Sequence, residues 1–335
     1  MSAIEWTDAT WNPVTGCTKV SPGCAHCYAE GVATRFWPTR YPKIENVEPN
    51  RCGTLILTKR PRQFTDVMTH ADRLDQPLRW KKPRKVFVNS MSDLFHEDVP
   101  DAFIDQVFAV MALAPRHTFQ ILTKRAERMR EYMNAPGRVD RVADVIGFGE
   151  SPGTHRVPYE HRSDVANHLL GKCIAGKSVS GLPVWPLPNV WLGVSVENQR
   201  FADERIPLLL QTPAAVRFIS AEPLLGPIDV RPYMPNKLWN DLPSWKEPEL
   251  EWVIVGGESG PGARPMQLEW AESVVVQCRG ARVPVFVKQL GSSWRGISFR
   301  VADGINQRIT DRKGGDPSEW PEDLRVREFP SVVSR

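Results

Sequence analysis

Long hydrophobic runs are missing from this 335-residue sequence. None approaches the roughly 20 apolar residues that a membrane-crossing helix needs, so no membrane span is expected. A basic flank leading into a hydrophobic stretch is also missing near Met1, which points to a cytoplasmic rather than an exported protein. Cysteine is scarce: six residues are too few for a disulfide scaffold in a chain of this length. Net charge is small at +4, and beyond an alternation of apolar runs and helical patterns there is no internal repeat or low-complexity tract. With 24% charged and 41% hydrophobic residues the composition is that of an ordinary globular protein.

What is present is unevenly spread. Twelve tryptophans and thirty prolines suggest a large core with many well-defined loops. Three of the six cysteines fall between positions 17 and 27, and in a chain without an export signal such a cluster more often binds metal or does redox work. Between Arg51 and Ser92 there are ten Lys or Arg against three Asp, densest at Lys81, Lys82, Arg84 and Lys85. Such a run is either a solvated face or a phosphate-binding patch for nucleic acid, and composition leaves both open.

Short β-branched or aromatic runs recur along the chain, each ending in a polar cluster. They are Leu55–Leu57, Val86–Val88, Phe119–Leu122, Val190–Val194, Val216–Ile219, Trp252–Val255 and Val285–Val287. Continuous apolar runs bounded by turn signals read as strands buried on both faces, the pattern of a parallel sheet. Helical periodicity fits between several of them: Phe103 to Ala114, Arg125 to Met133, Phe201 to Leu210 and Leu268 to Cys278. Strands alternating with helices imply βαβ units. With a further strand near Thr10–Val14, the expected fold is α/β, a partial or complete (β/α) barrel spanning residues 1–295. Two segments break the rhythm, an insert at about 135–187 and a Pro-rich loop at about 231–249. Residues 296–335 read as a C-terminal extension.

In such barrels the active site is built at the carboxyl ends of the strands. Asn89, Ser90, Asp93, Thr123, Lys124, Ser195, Glu197, Ser220, Glu222, Glu258 and Lys288 would then ring one mouth, while some of them serve only as caps and strand ends. The cysteines Cys17, Cys24 and Cys27 are spaced C-x6-C-x2-C in a Gly- and Pro-bearing loop after the first expected strand. Three thiolates suit a [4Fe–4S] cluster with one iron left open. Zinc competes, with His26 or Cys52 as a fourth ligand, although no second paired half of a zinc finger appears. His161, His168 and Cys173 form a looser alternative set.

A three-cysteine loop after the first strand of a βα barrel, with a C-x2-C and the neighbouring aromatic Tyr28, resembles the radical S-adenosylmethionine superfamily. The common spacing there is C-x3-C-x2-C, so the first gap here is longer and the second matches. In more detail the chain resembles a phage-associated family of unknown function. That likeness is carried by Trp11–Cys17, Gly23–Glu30, Asn89–Phe95, Leu122–Arg125, Gly193–Asn198, Ser220–Leu225 and Gly256–Gly260, covering most of the chain.

The resemblance implies a [4Fe–4S] cluster on Cys17, Cys24 and Cys27. Its open iron would chelate S-adenosylmethionine, and an electron would release a 5′-deoxyadenosyl radical. By charge, Lys124 suits the methionyl carboxylate, and Glu197 and Asp93 suit the ammonium or the ribose hydroxyls. Ser90 and Ser195 are short donors able to reach either. Gly256-Gly257-Glu258 is similar to the superfamily's Gly-Gly-Glu, and Tyr28 and Glu222 complete the implied cofactor-binding set. Phage enzymes of this kind remodel hypermodified thymine in DNA, for example isomerising an N-linked glycyl substituent to a C-linked one. DNA or a modified nucleotide is therefore the implied substrate, with Lys81, Lys82, Arg84 and Lys85 as nucleic-acid contacts and the host cytoplasm as location. A flavodoxin or ferredoxin is the implied electron donor. Two rivals stay open: a DNA-repair or nucleotide-modifying lyase of the same superfamily, and a non-catalytic zinc-stabilised nucleic-acid-binding protein.

Overall fold

Val, Ile, Phe and Trp dominate the short runs between polar clusters, and these side chains pack well on pleated surfaces buried on both sides. The structure, a computed structural model, describes residues 4–49, 55–148, 156–170, 185–235, 249–300 and 306–331. The chain opens with β1 (Ala9–Trp11) and the two-residue β2 (Val14–Thr15), then the cysteine loop and α1 (Tyr28–Arg40). Next come β3 (Ile44–Pro49) and β4 (Leu55–Arg60), paired antiparallel, followed by β5 (Met68–Thr69) against β2 and the one-turn α2 (Gln76–Arg79). The alternation proper begins at β6 (Lys85–Val88), α3 (Asp101–Leu113), β7 (Thr118–Thr123) and α4 (Ala126–Asn134). Two more helices, α5 (Arg138–Phe148) and α6 (Tyr159–Leu169), precede β8 (Val190–Ser195) and α7 (Gln199–Leu210). It ends with β9 (Val216–Ala221), β10 (Trp252–Gly256), α8 (Leu268–Ala281) and β11 (Val285–Gln289), and a small pair, β12 (Ser298–Arg300) and β13 (Asn306–Arg308), lies in the tail.

Seven strands form one sheet in the order β1-β6-β7-β8-β9-β10-β11, and every neighbouring pair is parallel. The order never reverses. Right-handed crossovers then carry the helices to one face, whereas a doubly wound sheet reverses its order and covers both. The result is a mixed α/β fold with a seven-stranded parallel half-barrel, so the partial form of the expected barrel is the one adopted.

Period-two alternation divides the strand side chains between two cores. Val86, Val88, Phe119, Ile121, Leu192, Val194, Ile219, Val253 and Val287 face the helices and join the larger core. Trp191, Phe218, Trp252, Ile254 and Phe286 face away from the helices and form a second cluster with Trp6, bordered by Phe87, Leu122 and Phe329. The Trp252 ring lies 5.5 Å from Phe218, 5.8 Å from Trp191 and 5.4 Å from Phe329, centroid to centroid. Gly193 makes room for this packing, because a Cβ there would sit 2.6 Å from the Phe218 ring. One step nearer the carboxyl ends, Ser195 and Ser220 stand side by side in register. This face therefore grades from aromatic at its amino end to polar at its mouth.

One expectation needs correction, and two segments gain definition. The Leu55–Leu57 run is not a barrel strand but part of β4, off the main sheet. Leu55 and Leu57 are 69% and 66% exposed, and a run of three apolar residues is too short to show that only one side is covered. Within 135–187, α5 and α6 supply regular helical structure, with Val142, Ile146 and Leu169 buried in the main core. The remainder of that insert, at 149–155 and 171–184 with Cys173, lies outside the described residues, as do Cys52 and 236–248 of the Pro-rich loop. The tail after Arg295 packs against the sheet and its helices. Ile309, Trp320, Leu324 and Val326 enter the main core, and Arg327 bridges Phe286 so that the tail covers the open edge of β11. Among the described residues, no helix is long and apolar enough to cross a membrane.

Candidate functional site

Gly16 starts the cysteine loop, bridging to Ser92 just beyond β6. Its φ of +97° lies in the region open to glycine, and a Cβ would meet the Asp66 carbonyl oxygen at 2.5 Å. The Cys17 amide donates to the Phe64 carbonyl (2.9 Å). From there the loop runs over the carboxyl ends of the sheet and enters α1 with Cys27 as its N-cap residue. The polar ring expected there is real, but most of its carboxylates hold the loop.

Three anchors do this. Beyond β7, the Arg125 guanidinium donates to Cys17 Sγ (3.5 Å), Thr18 Oγ1 (2.7 Å) and Thr18 O (3.4 Å), and it pairs with Asp93 (3.3 Å) and Glu97 (2.9 Å). Beyond β8, the fully buried Glu197 accepts the Ser21 hydroxyl at 2.7 Å. Gly23 lies against the same side chain, where a Cβ would fall 2.5 Å from Glu197 Cγ. Beyond β10, Glu258 Oε2 faces His26 Nδ1 at 2.9 Å. Burial works to raise the Glu258 pKa, but Arg264 and His26 hold it down at about 2. An ionised carboxylate only accepts, so Nδ1 of His26 carries the hydrogen.

Asp93, Glu197 and Glu258 each have further partners, as a buried charge requires. Glu197 pairs with the buried Arg205 at 3.3 Å and with Lys124 at 3.8 Å. Glu258 pairs with the Arg264 guanidinium at 2.5 Å. Asp93 accepts from Thr123 Oγ1 (2.7 Å), Phe95 N (3.0 Å) and Lys124 N (3.2 Å). Ser90 Oγ donates to Asn12 Oδ1 (3.2 Å), tying the end of β6 to the end of β1. These roles are internal to the chain. Glu222 and Lys288 are different: they form a 2.6 Å pair beyond β9 and at β11, and among the described residues no bond to the cysteine loop engages them.

Cys17, Cys24 and Cys27 are all free and half-buried. Burial foremost pushes the Cys17 thiol up to about 11; Asp93 adds to this and Arg125 opposes it. Cys27 sits at a helix amino terminus, as the N-cap residue of α1. The donor set of three thiols fits a four-iron cluster by its chemistry, since each thiolate takes a different iron and one iron stays open. A single zinc asks for more, with ligand sulfurs only about 3.8 Å apart around one tetrahedral ion. Among the described residues, no three His, Cys, Asp or Glu side chains are grouped to hold a metal ion.

Other expected site residues stand elsewhere. Tyr28, the first residue of α1, is 73% exposed. Lys81, Lys82, Arg84 and Lys85 precede or begin β6, so they lie at the amino end of the sheet; the length of β6 alone sets them about 10 Å or more from the mouth. Lys85 Nζ lies 3.6 Å from the centroid of the Phe329 ring, and Arg84 lies 5.2 Å from that of Trp80. Sequence patterns do not mark Arg125, Arg205, Arg264 or Ser21 as partners of the loop and its anchors, and they offer His26 only as a metal ligand. One signal exists, because buried carboxylates need cations: Arg125 closely follows β7, the neighbour of the strand that leads to Asp93, and Arg264 closely follows Glu258. Arg205, eight residues beyond Glu197 and inside α7, carries no such mark.

The family described as "Protein of unknown function (DUF5131)" has a model that matches residues 1–316. No match was found among curated proteins or among solved structures.

Proposed function

The chain belongs to the family described as "Protein of unknown function (DUF5131)", and we propose that it is a radical S-adenosylmethionine enzyme that remodels a modified nucleobase. The observation that carries this reading is the three-cysteine loop lying across the carboxyl ends of a singly wound parallel sheet. Cys17, Cys24 and Cys27 would hold a [4Fe–4S] cluster through three of its irons. Together with S-adenosylmethionine, such a cluster would supply one-electron radical chemistry able to take a hydrogen from the substrate.

The chain's own residues bind, orient and exclude water. Lys124, whose side chain is 20% exposed and 3.8 Å from Glu197, offers its ammonium to a carboxylate at the mouth. Glu222 and Lys288 present opposite charges side by side and suit an ammonium and a carboxylate of the cofactor or substrate. Ser195 and Ser220 add hydroxyls above the aromatic cluster, which keeps water from the floor. Asp93, Glu197 and Glu258 act one layer back, through the loop they anchor.

Hypermodified thymine in DNA is the proposed substrate class, and isomerisation of a glycyl substituent from nitrogen to carbon linkage is the proposed reaction. A base inside a duplex does not reach such a mouth, so it enters flipped out or from a single strand. A flavodoxin or ferredoxin is the proposed reductant. The test is anaerobic purification with iron and acid-labile sulfide analysis, then incubation with dithionite and S-adenosylmethionine. About four irons per chain and release of 5′-deoxyadenosine and methionine are expected. Stoichiometric zinc with no 5′-deoxyadenosine would rule the reading out.

A further inference from the structure

Arg125 is the one cation seen to touch a cysteine sulfur of the loop among the described residues. Its side chain is 9% exposed, and five contacts fix its plane. Nη1 donates to Cys17 Sγ at 3.5 Å and faces Asp93 at 3.3 Å. Nε donates to Glu97 at 2.9 Å, and Nη2 donates to Thr18 Oγ1 at 2.7 Å. The two Thr18 contacts tie the guanidinium to the loop beside Cys17. The Nη1–sulfur contact has a separate consequence, because a donor aimed at a ligating sulfur draws negative charge from it.

We propose that Arg125 sets the reduction potential of the metal group on Cys17, with Glu97 as the exposed carboxylate that moderates it. The inference rests on the iron–sulfur reading above. Reduction adds an electron to a group whose charge is spread over its sulfurs. A guanidinium donating to one of them stabilises the reduced form and raises the potential. Glu97 is 61% exposed and neutralises part of that guanidinium. Removing Glu97 therefore leaves Arg125 more positive towards the sulfur. The two residues act with opposite signs, whereas a purely structural role would make both substitutions loosen the same loop.

The experiment uses the full chain, reconstituted anaerobically, with iron and sulfide counted and the reduced signal followed by electron paramagnetic resonance in a dithionite titration with mediator dyes. Arg125→Gln is expected to make reduction at least tenfold less favourable, about 59 mV for one electron. Arg125→Lys keeps the charge without the fixed fork and should recover part of the shift. Glu97→Gln should move the potential the other way. A loaded Arg125→Gln protein with the parent's potential overturns the proposal. If that variant fails to fold or load, Glu97→Gln decides: an unchanged or lowered potential overturns it and a raised one supports it. A parent chain that takes up no iron or sulfide overturns the iron–sulfur reading itself, and the proposal with it.

Discussion

Asp93, Glu197, Glu222 and Glu258, at the carboxyl end of the sheet, are buried or nearly so, and each is met by a cation or by several donors. Leaving any one unpaired would cost several kcal/mol, so their partners are as necessary as the acids themselves. The loop cysteines follow another logic, being half-buried and, among the described residues, free thiols. Cys17→Ala, Cys24→Ala and Cys27→Ala are each expected to abolish the iron content of anaerobic protein. Cys278→Ala, in the buried face of α8, should leave it unchanged; loss of iron in that variant instead would misplace the site. His70 provides a pH test at the base of the loop, where its Nε2 lies 2.7 Å from Thr15 Oγ1. Burial first, then the charges of Arg73 and Arg62, lower its pKa to about 4. Between the ordinary histidine value of about 6.5 and that value, the unfolded chain binds a proton that the folded chain refuses. Its stabilising contribution is thus full above about pH 6.5 and is lost as pH falls toward 4. Urea unfolding midpoints at pH 7 and pH 5 should converge in His70→Gln relative to the parent; equal pH sensitivity in both proteins would assign the effect elsewhere.

At the scale of elements, the strands carry two messages at once. Their alternation sends valines and isoleucines to the helices and aromatics to the opposite face. Gly193 in β8 is where those demands meet, since the Phe218 ring of β9 occupies the space of its side chain. Gly193→Ala should therefore destabilise the fold by about 1–3 kcal/mol through overpacking, read as a lower denaturation midpoint with an unchanged slope. A neutral result would mean that the ring shifts freely. Strand existence is legible in the apolar runs, and helix positions in their period. β4 is not, because a run of three residues looks the same in a hairpin and in a buried strand. Nor are α5 and α6, because frequent Gly, Pro and His around them hide two short amphipathic helices.

For the molecule as a whole, the parallel sheet gives its two ends different characters. Polar groups and the cysteine loop gather at the carboxyl ends, while the basic cluster Lys81, Lys82, Arg84 and Lys85 stands at the amino end. Reversing Lys81, Lys82 and Lys85 together should leave 5′-deoxyadenosine release untouched. If DNA meets only the mouth, the salt dependence of its binding should also stay the same. A slope flatter by close to one unit for each phosphate no longer neutralised would show that DNA wraps to the amino end as well.

By itself, the sequence determined the α/β alternation, the position of the thiols within one loop and the set of polar residues that end the strands. Those are local properties, set by side-chain period, by turn chemistry and by spacing along the chain. Only the tertiary structure decided which carboxylates face outward and which are consumed. Ser21, His26 and Arg125 meet Glu197, Glu258 and Asp93 across separations of 176, 232 and 32 residues. The same holds for the basic cluster, whose distance from the mouth follows from strand direction rather than composition. Which groups pair is settled by the free energy of burying charge in a particular place, and that place exists only once the sheet has curved and the loop has closed over it.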